Sequence, residues 1–275
     1  MEKKRLDTCL VKLGKFNNEK RAKAAILEGR VFVDGNLVDK AGTLVSLSSD
    51  IVVRENEEEF VSRGGRKLEK ALKHFGVDVK DRVVLDVGSS TGGFTDCLLK
   101  RGAKLVIAVD VGYGQLAWRL RKDPRVFVLE RTNIRYLTPD KLPTQPNMVV
   151  IDVSFISVKK IIDNIKKLVK NDAEYLILIK PQFEAKRELI GKKGIVRDPK
   201  THQGVLTDMW KFFEEEGFVA RGLDFSPILG VKGNMEFLFY LKSNKKEIKD
   251  DNSTTIVEKV VSEAHKFLLK SQKEG

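Results

Sequence analysis

The run Leu85-Asp86-Val87-Gly88-Ser89-Ser90-Thr91-Gly92-Gly93-Phe94-Thr95 places an acid and three glycines between an apolar segment and a helical one. Gly88, Gly92 and Gly93 let the backbone turn sharply and approach a ligand closely, and the following helix offers free N–H groups at its start. The spacing is not the G-x-G-x-x-G that cradles a dinucleotide pyrophosphate. It suits a ligand with an amino-acid tail, such as S-adenosylmethionine. Asp86 would offset the ammonium, and the N–H groups of a loop through Ser89 and Ser90, closed by Phe94, would take the carboxylate. Asp110 follows Asp86 by 24 positions, where an acid can accept both ribose hydroxyls of an adenosine. Its other reading is a cap or turn residue. Asn133, in Glu130-Arg131-Thr132-Asn133, has the donor and acceptor needed at an adenine edge, and equally the chemistry that shapes a turn.

Three further polar residues sit at strand ends where the apolar pattern does not require them. Asp152 lies in Val-Val-Ile-Asp-Val-Ser-Phe-Ile-Ser, Lys180 in Leu-Ile-Leu-Ile-Lys-Pro-Gln-Phe, and Glu236 in Gly-Asn-Met-Glu-Phe-Leu. A second lysine, Lys67, comes from Ser62-Arg63-Gly64-Gly65-Arg66-Lys67-Leu68, with Arg63 and Arg66 beside it as candidate RNA contacts. Lysines set among carboxylates can serve a reaction that builds negative charge, or form an ordinary ion-pair network at a sheet edge.

These residues need a scaffold that brings distant strand ends together. Apolar stretches at 83–87, 105–109, 126–129, 148–153, 175–179, 219–224 and 237–241 read as buried strands. Helical patterns lie between most of them, at 94–101, 115–121, 158–169 and 203–216. Short apolar strands alternating with helices predict an α/β fold: a Rossmann-like, doubly wound, mostly parallel sheet. Its ligand crevice lies at the carboxyl ends of the strands. The last two strands are close in sequence, so one can run antiparallel, which would bring the start of the final strand, and Glu236, to the same edge as Asp152 and Lys180.

Residues 1–60 read as a small α+β module and linker. Two helices at 6–13 and 19–27, the second capped by Asn17 or Asn18 and ended by Gly29, precede two β segments around Asp34-Gly35 and a strand at 51–53. Residues 2–24 hold eight Lys or Arg against three acids. Arg5, Lys20, Arg21 and Lys23 would grip RNA phosphates without reading bases; the alternative is a solvated helix face. Residues 61–245 form the Rossmann-like domain, and 246–275 a polar, mobile segment and a closing amphipathic helix.

Lys and Arg number 51 against 39 Asp and Glu, a net charge of +12 over 275 residues. Such an excess points to a polyanionic partner. Two distant cysteines fit a reducing cytoplasm, three scattered histidines give no metal-ligand spacing, and no metal is expected. No apolar run approaches the ~20 residues that span a bilayer, and the first residues lead into no signal-peptide stretch.

With these segments in order, the chain resembles the hemolysin A (TlyA) family of ribosomal RNA ribose methyltransferases, and its catalytic part resembles the FtsJ-type 2′-O-methyltransferases. The resemblance covers about residues 4 to 242 and rests on Ser-Arg-Gly-Gly-x-Lys-Leu, Asp-Val-Gly-Ser-Ser-Thr-Gly-Gly-Phe-Thr-Asp, Asp-Val-Ser-Phe-Ile-Ser, Lys-Pro-Gln-Phe-Glu and Gly-Asn-x-Glu. It implies a catalytic tetrad of Lys67, Asp152, Lys180 and Glu236, S-adenosylmethionine as cofactor, and ribosomal RNA or ribosomal subunits as partner, with a cytidine ribose as target. The first residues resemble the RNA-binding module of a small-subunit ribosomal protein. A ribose hydroxyl is a weak acid, and a lysine with a reference pKa of ~10.4 is normally protonated. Lys180 would act as a base if desolvation wins, or as an electrostatic clamp if the carboxylates win. One departure stands out: the family's linker carries a basic and aromatic patch, whereas this chain reads Glu57-Glu58-Glu59-Phe60-Val61. Two other classes compete: a ribosome-assembly factor without turnover, and a membrane-active hemolysin whose helix at 254–269 lies on a bilayer surface.

Overall fold

The computed structural model describes residues 3–27, 30–53, 60–230, 232–243 and 252–270. Gly29, the acidic stretch 57–59 and most of the polar segment before the last helix lie outside them. The chain divides into two compact units, Met1–Glu59 and Phe60–Gly275.

The first unit runs β1 (Lys3–Arg5), α1 (Leu6–Lys12), α2 (Glu19–Leu27), β2 (Val31–Val33), β3 (Asn36–Leu37), β4 (Leu44–Ser46) and β5 (Ile51–Val53). Asp34 and Gly35 both take positive φ, at +49° and +80°. Two left-handed residues match the right-handed twist of a two-residue hairpin, and β2 pairs with β3 across them and with β5 on its other side. The Asn18 side chain accepts the Arg21 N–H at 3.0 Å at the start of α2. Leu6, Leu10, Ile26 and Val31 fill the core. The β1–β4 pair has no counterpart in the sequence expectation, because three-residue strands leave almost no periodic signal.

The second unit contains α3 (Gly64–Phe75), β6 (Val83–Val87), α4 (Gly93–Lys100), β7 (Leu105–Val109), α5 (Trp118–Arg121), β8 (Val126–Leu129), β9 (Met148–Ile151), α6 (Ile162–Leu168), β10 (Glu174–Ile179), α7 (Pro181–Glu184), α8 (Pro199–Glu215), β11 (Phe218–Phe225), β12 (Phe237–Ser243) and α9 (Ser253–Lys270). Seven strands form one sheet in the order β11-β12-β10-β9-β6-β7-β8. All neighbours are parallel except β12, which runs antiparallel to both β10 and β11.

The pleat divides each strand between two cores. Leu85, Ile107, Val149, Ile177 and Phe239 face one side, under α6, α8 and α9. Val84, Val106, Val150, Leu178 and Leu238 face the other, under α3 and α4. Burial on both faces explains why the strands read as continuous apolar runs. Helix α9 contributes Val257, Val260, Val261 and Ala264 to the first core. The closing amphipathic helix thus packs on the catalytic unit.

Helix α3 is not among the expected helices. Its pattern Leu68, Ala71, Leu72, Phe75 has the i, i+3, i+4, i+7 spacing of an amphipathic helix, but two opening glycines, poor helix formers, disguise its start. Helix α8 begins four residues before the expected 203, with Asp198 capping the Lys200 and Thr201 N–H groups and Pro199 in the first turn. The expected helix at 115–121 shrinks to α5, and that at 158–169 splits into a 3₁₀ turn at 158–160 followed by α6.

Candidate active site at the carboxyl edge of the sheet

The register of β9, β10 and β12 assembles the catalytic candidates. Ile151 pairs with Ile177, and Ile179 pairs with Phe237. Asp152 and Lys180 therefore follow the carboxyl ends of two adjacent parallel strands, while Glu236 precedes the antiparallel strand beside them. Lys67 comes from the first turn of α3 and places its Nζ 2.5 Å from Glu236 Oε2, both side chains buried. Lys180 Nζ lies 2.6 Å from Asp152 Oδ1 and donates to Ser154 Oγ at 2.8 Å. The four expected residues thus form two lysine–carboxylate pairs on the wall of one cavity of about 1070 Å³.

Small residues permit this closeness. A Cβ on Gly93 would stand 2.3 Å from Ser62 Oγ and 2.9 Å from Gly65 N, so the start of α4 presses on the start of α3. A Cβ on Gly65 would strike the Phe60 ring at 2.1 Å. Gly88, at φ +86°, would carry its Cβ 2.5 Å from the Asp152 carbonyl oxygen. The glycine-rich loop and the Asp152 strand end are therefore in direct backbone contact. Any side chain at these positions would push the loop, α3 or Asp152 apart.

Two side chains whose roles the sequence did not disclose, the buried Asn234 and the half-buried Glu184, fix the surrounding loops. Asn234 accepts the Val196 N–H at 2.9 Å and donates to the Gly194 carbonyl at 3.0 Å, tying the 185–198 loop to the approach of β12. Glu184 accepts from the Val158 N–H at 2.8 Å and from the Ser157 hydroxyl, joining α7 to the loop after β9. Burial raises the Glu184 carboxyl above its ordinary value. Between Asp152 and that anchor, Phe155 takes φ +65° and is 88% exposed on the cavity wall, its ring 5.1 Å from Phe183. A positive φ on a bulky residue is strained.

The nucleotide candidates divide. Gly88, Ser89, Ser90, Gly93 and Phe94 line the cavity, whereas Gly92 faces Leu116 and Leu120 behind the loop. Asp110 stands beside the loop, one oxygen accepting the Ser90 N–H at 2.8 Å and the other the Gly112 N–H at 2.7 Å. Asp86, expected to meet a ligand ammonium, is fully buried under the loop rather than on the cavity wall. Its Oδ2 accepts the Thr95 hydroxyl at 2.6 Å, Oδ1 has no partner, and desolvation lifts its pKa to about 7. Asn133 turns its side-chain oxygen to the Arg135 N–H at 3.1 Å and caps a 3₁₀ turn, the turn-shaping role left open by the sequence.

Arg63 lines the cavity and donates to the Leu229 carbonyl at 3.1 Å, while Arg66 is exposed on α3. In the first unit, Lys20, Arg21 and Lys23 are exposed on α2. Arg5 is different: it forms a two-pronged pair with the buried Asp7, at 3.1 and 2.7 Å. That pair holds the Asp7 carboxyl below its usual range. Its charge is largely committed to the fold. No group of three or more metal-ligating side chains occurs among the described residues.

The FtsJ-like methyltransferase family model matches residues 60–243, and the S4 domain matches residues 4–52. A candidate rRNA methyltransferase of Bacillus subtilis, YqxC, is 49% identical over 97% of this chain and 96% of its own. The 16S/23S rRNA (cytidine-2′-O)-methyltransferase TlyA of Mycobacterium tuberculosis is 42% identical over 87% of this chain and 90% of its own. A solved structure from Streptococcus thermophilus, described as a candidate hemolysin, superposes with a TM-score of 0.77 at 42% identity, covering 99% of both chains. With that family model matching residues 60–243 and relatives 42–49% identical over most of its length, this chain belongs to the FtsJ-like methyltransferase family and carries an N-terminal S4 domain.

Proposed function

We propose that this protein transfers a methyl group from S-adenosylmethionine to a ribose 2′-hydroxyl of ribosomal RNA, with a cytidine as the target nucleoside. The observation that carries this reading is the meeting of Lys67–Glu236 and Lys180–Asp152 on the cavity that the glycine-rich loop also lines. The relatives named as rRNA 2′-O-methyltransferases support the substrate, and the S4 domain supports RNA docking.

The donor fits the residues present. The loop Gly88, Ser89, Ser90 leaves cavity wall without bulky side chains, and Asp110 keeps free lone pairs beside it for ribose hydroxyls. When bound, S-adenosylmethionine supplies an electrophilic methyl. Lys180, ion-paired with Asp152, acts as an electrostatic clamp on the ribose oxygen as negative charge grows there, and the hydroxyl proton leaves to water. Lys67, locked to Glu236, steadies the nucleotide from the α3 side. Phe155 offers an exposed flat face to a base unstacked from folded RNA.

Single-turnover methylation of unmodified ribosomal subunits with labelled cofactor tests the assignment. A folded Lys180→Ala protein should lose about a hundredfold or more in rate, with cofactor and RNA affinities little changed. Lys180→Arg should not restore full activity, because the planar guanidinium does not reproduce a compact ammonium. Near-native turnover by Lys180→Ala would refute the tetrad and favour a binding factor without chemistry.

A further inference from the structure

Lys180 has two polar contacts of different quality. Asp152 Oδ1 is close, at 2.6 Å, yet it lacks a properly angled hydrogen bond, so it acts as a neighbouring charge rather than a directional acceptor. Ser154 Oγ accepts from Lys180 Nζ at 2.8 Å with hydrogen-bond geometry. A charge alone fixes the sign of the partner but leaves a rotating ammonium free to aim its three N–H groups anywhere. An aligned acceptor removes that freedom.

Ser154 is itself held in place. The Asp152 N–H donates to the Val87 carbonyl at 3.0 Å, and Glu184 anchors Ser157 and Val158. The four residues between Asp152 and Ser157 include the strained Phe155. Both Ser154 and Lys180 line the cavity. The charged groups sharing that wall are Asp152, Glu236, Lys67, Arg63, Arg187 and Lys232. Of the two lysines in these pairs, Lys180 donates to a hydroxyl oxygen, whereas Lys67 donates to the Glu236 carboxylate.

We propose that Ser154 is a positioning residue for the methyl-transfer step. Its hydroxyl oxygen takes one N–H of Lys180, so that the lysine presents another to the ribose oxygen in a fixed direction. The inference rests on the role of Lys180 argued above and adds a residue outside the tetrad. It explains why a serine stands two positions after Asp152 on a taut loop facing the cavity, where packing asks for no particular side chain.

The test compares Ser154→Ala, Ser154→Thr and Lys180→Ala in the full-length protein, by methylation of ribosomal subunits with kcat and KM for RNA determined separately. Ser154→Ala should lower kcat about tenfold, the scale of one hydrogen bond to a charged group, and leave KM for RNA and cofactor affinity within about twofold. Ser154→Thr keeps the hydroxyl at an exposed position, so it should recover most of the rate. A Ser154→Ala protein with unchanged kcat, or one whose loss falls on KM, overturns the proposal while leaving the tetrad intact if Lys180→Ala is inactive. Failure of Ser154→Thr to recover beside a well-folded Ser154→Ala would show that shape rather than the hydroxyl matters, and overturns it too. If Lys180→Ala itself retains its rate, the reading of the whole site falls with it.

Discussion

Asp86 should make the catalytic unit less stable as pH rises. Its carboxyl is fully buried, keeps one oxygen without a partner, and has a pKa of about 7 against an ordinary value of 3.8. Desolvation is the main cause; the neighbouring Asp152 charge adds to it, while the Thr95 hydroxyl opposes it. Between those two values the folded state binds a proton that the unfolded state has released, so stability falls as pH climbs through the window and flattens above pH 7. At about 1.36 kcal/mol per pH unit, the whole ionisation cost is roughly 4 kcal/mol. About 2–3 kcal/mol of it appears between pH 5 and pH 8. Asp86→Asn removes the ionisation and keeps an acceptor for Thr95. Its amide brings an offset of its own, but that offset does not depend on pH. Urea unfolding of wild type and Asp86→Asn, without cofactor and followed by near-ultraviolet circular dichroism, should therefore show a stability difference that moves in favour of the variant by that 2–3 kcal/mol from pH 5 to pH 8. Thr95→Val, which deletes the bond favouring the ionised form, should steepen the fall. A difference that stays flat with pH would show that Asp86 titrates alike in both states, and the argument from burial would fail.

Two further outcomes follow from the same geometry. Asp110→Ala should weaken S-adenosylmethionine by roughly 1.5–3 kcal/mol, the scale of lost charge-assisted hydrogen bonds; calorimetry with unchanged affinity in a folded variant would take Asp110 out of the site. Neutralising Lys20, Arg21 and Lys23 to glutamine should weaken subunit binding and flatten its dependence on salt, because fewer counterions are released. Arg5 is left intact in that variant, since its bond to buried Asp7 serves the fold; an unchanged salt slope would refute the role of the α2 face.

Asp152, Lys180 and Glu236 were legible because each stands at the end of an apolar run, where a polar residue is cheap to notice against a buried background, whereas Lys67 lies in a basic, glycine-containing stretch that offers no such contrast. The same holds for the glycine-rich loop, whose conformational demands only glycine meets, and for the α/β class, which follows from alternating strand and helix patterns. Asp86 shows the limit of such reading. A carboxylate at the end of a buried strand looks like a ligand contact, and nothing in its neighbours along the chain shows that it is fully buried with its pKa raised by desolvation. Arg5 looks like one more positive charge for RNA, and only the burial of Asp7 shows where that charge goes.

Composition, period and local turn chemistry are properties of neighbouring residues, and the sequence alone determined what rests on them: the class of fold, the order of its strands along the chain, the basic character of the first unit and the residue types available for chemistry. Which of those residues meet was decided by strand register and by close backbone approach. Lys67 and Glu236 are 169 positions apart, and they touch because β12 runs antiparallel beside β10 and because Gly65 and Gly93 let α3 lie hard against α4. The bond from Lys180 to Ser154, the exposed ring of Phe155 and the clamps made by Asn234 and Glu184 likewise have no local signature. Each depends on the distance between segments that only long-range packing sets, and a hydrogen bond that needs its donor and acceptor within about 3 Å cannot be read from residues that become neighbours only on folding.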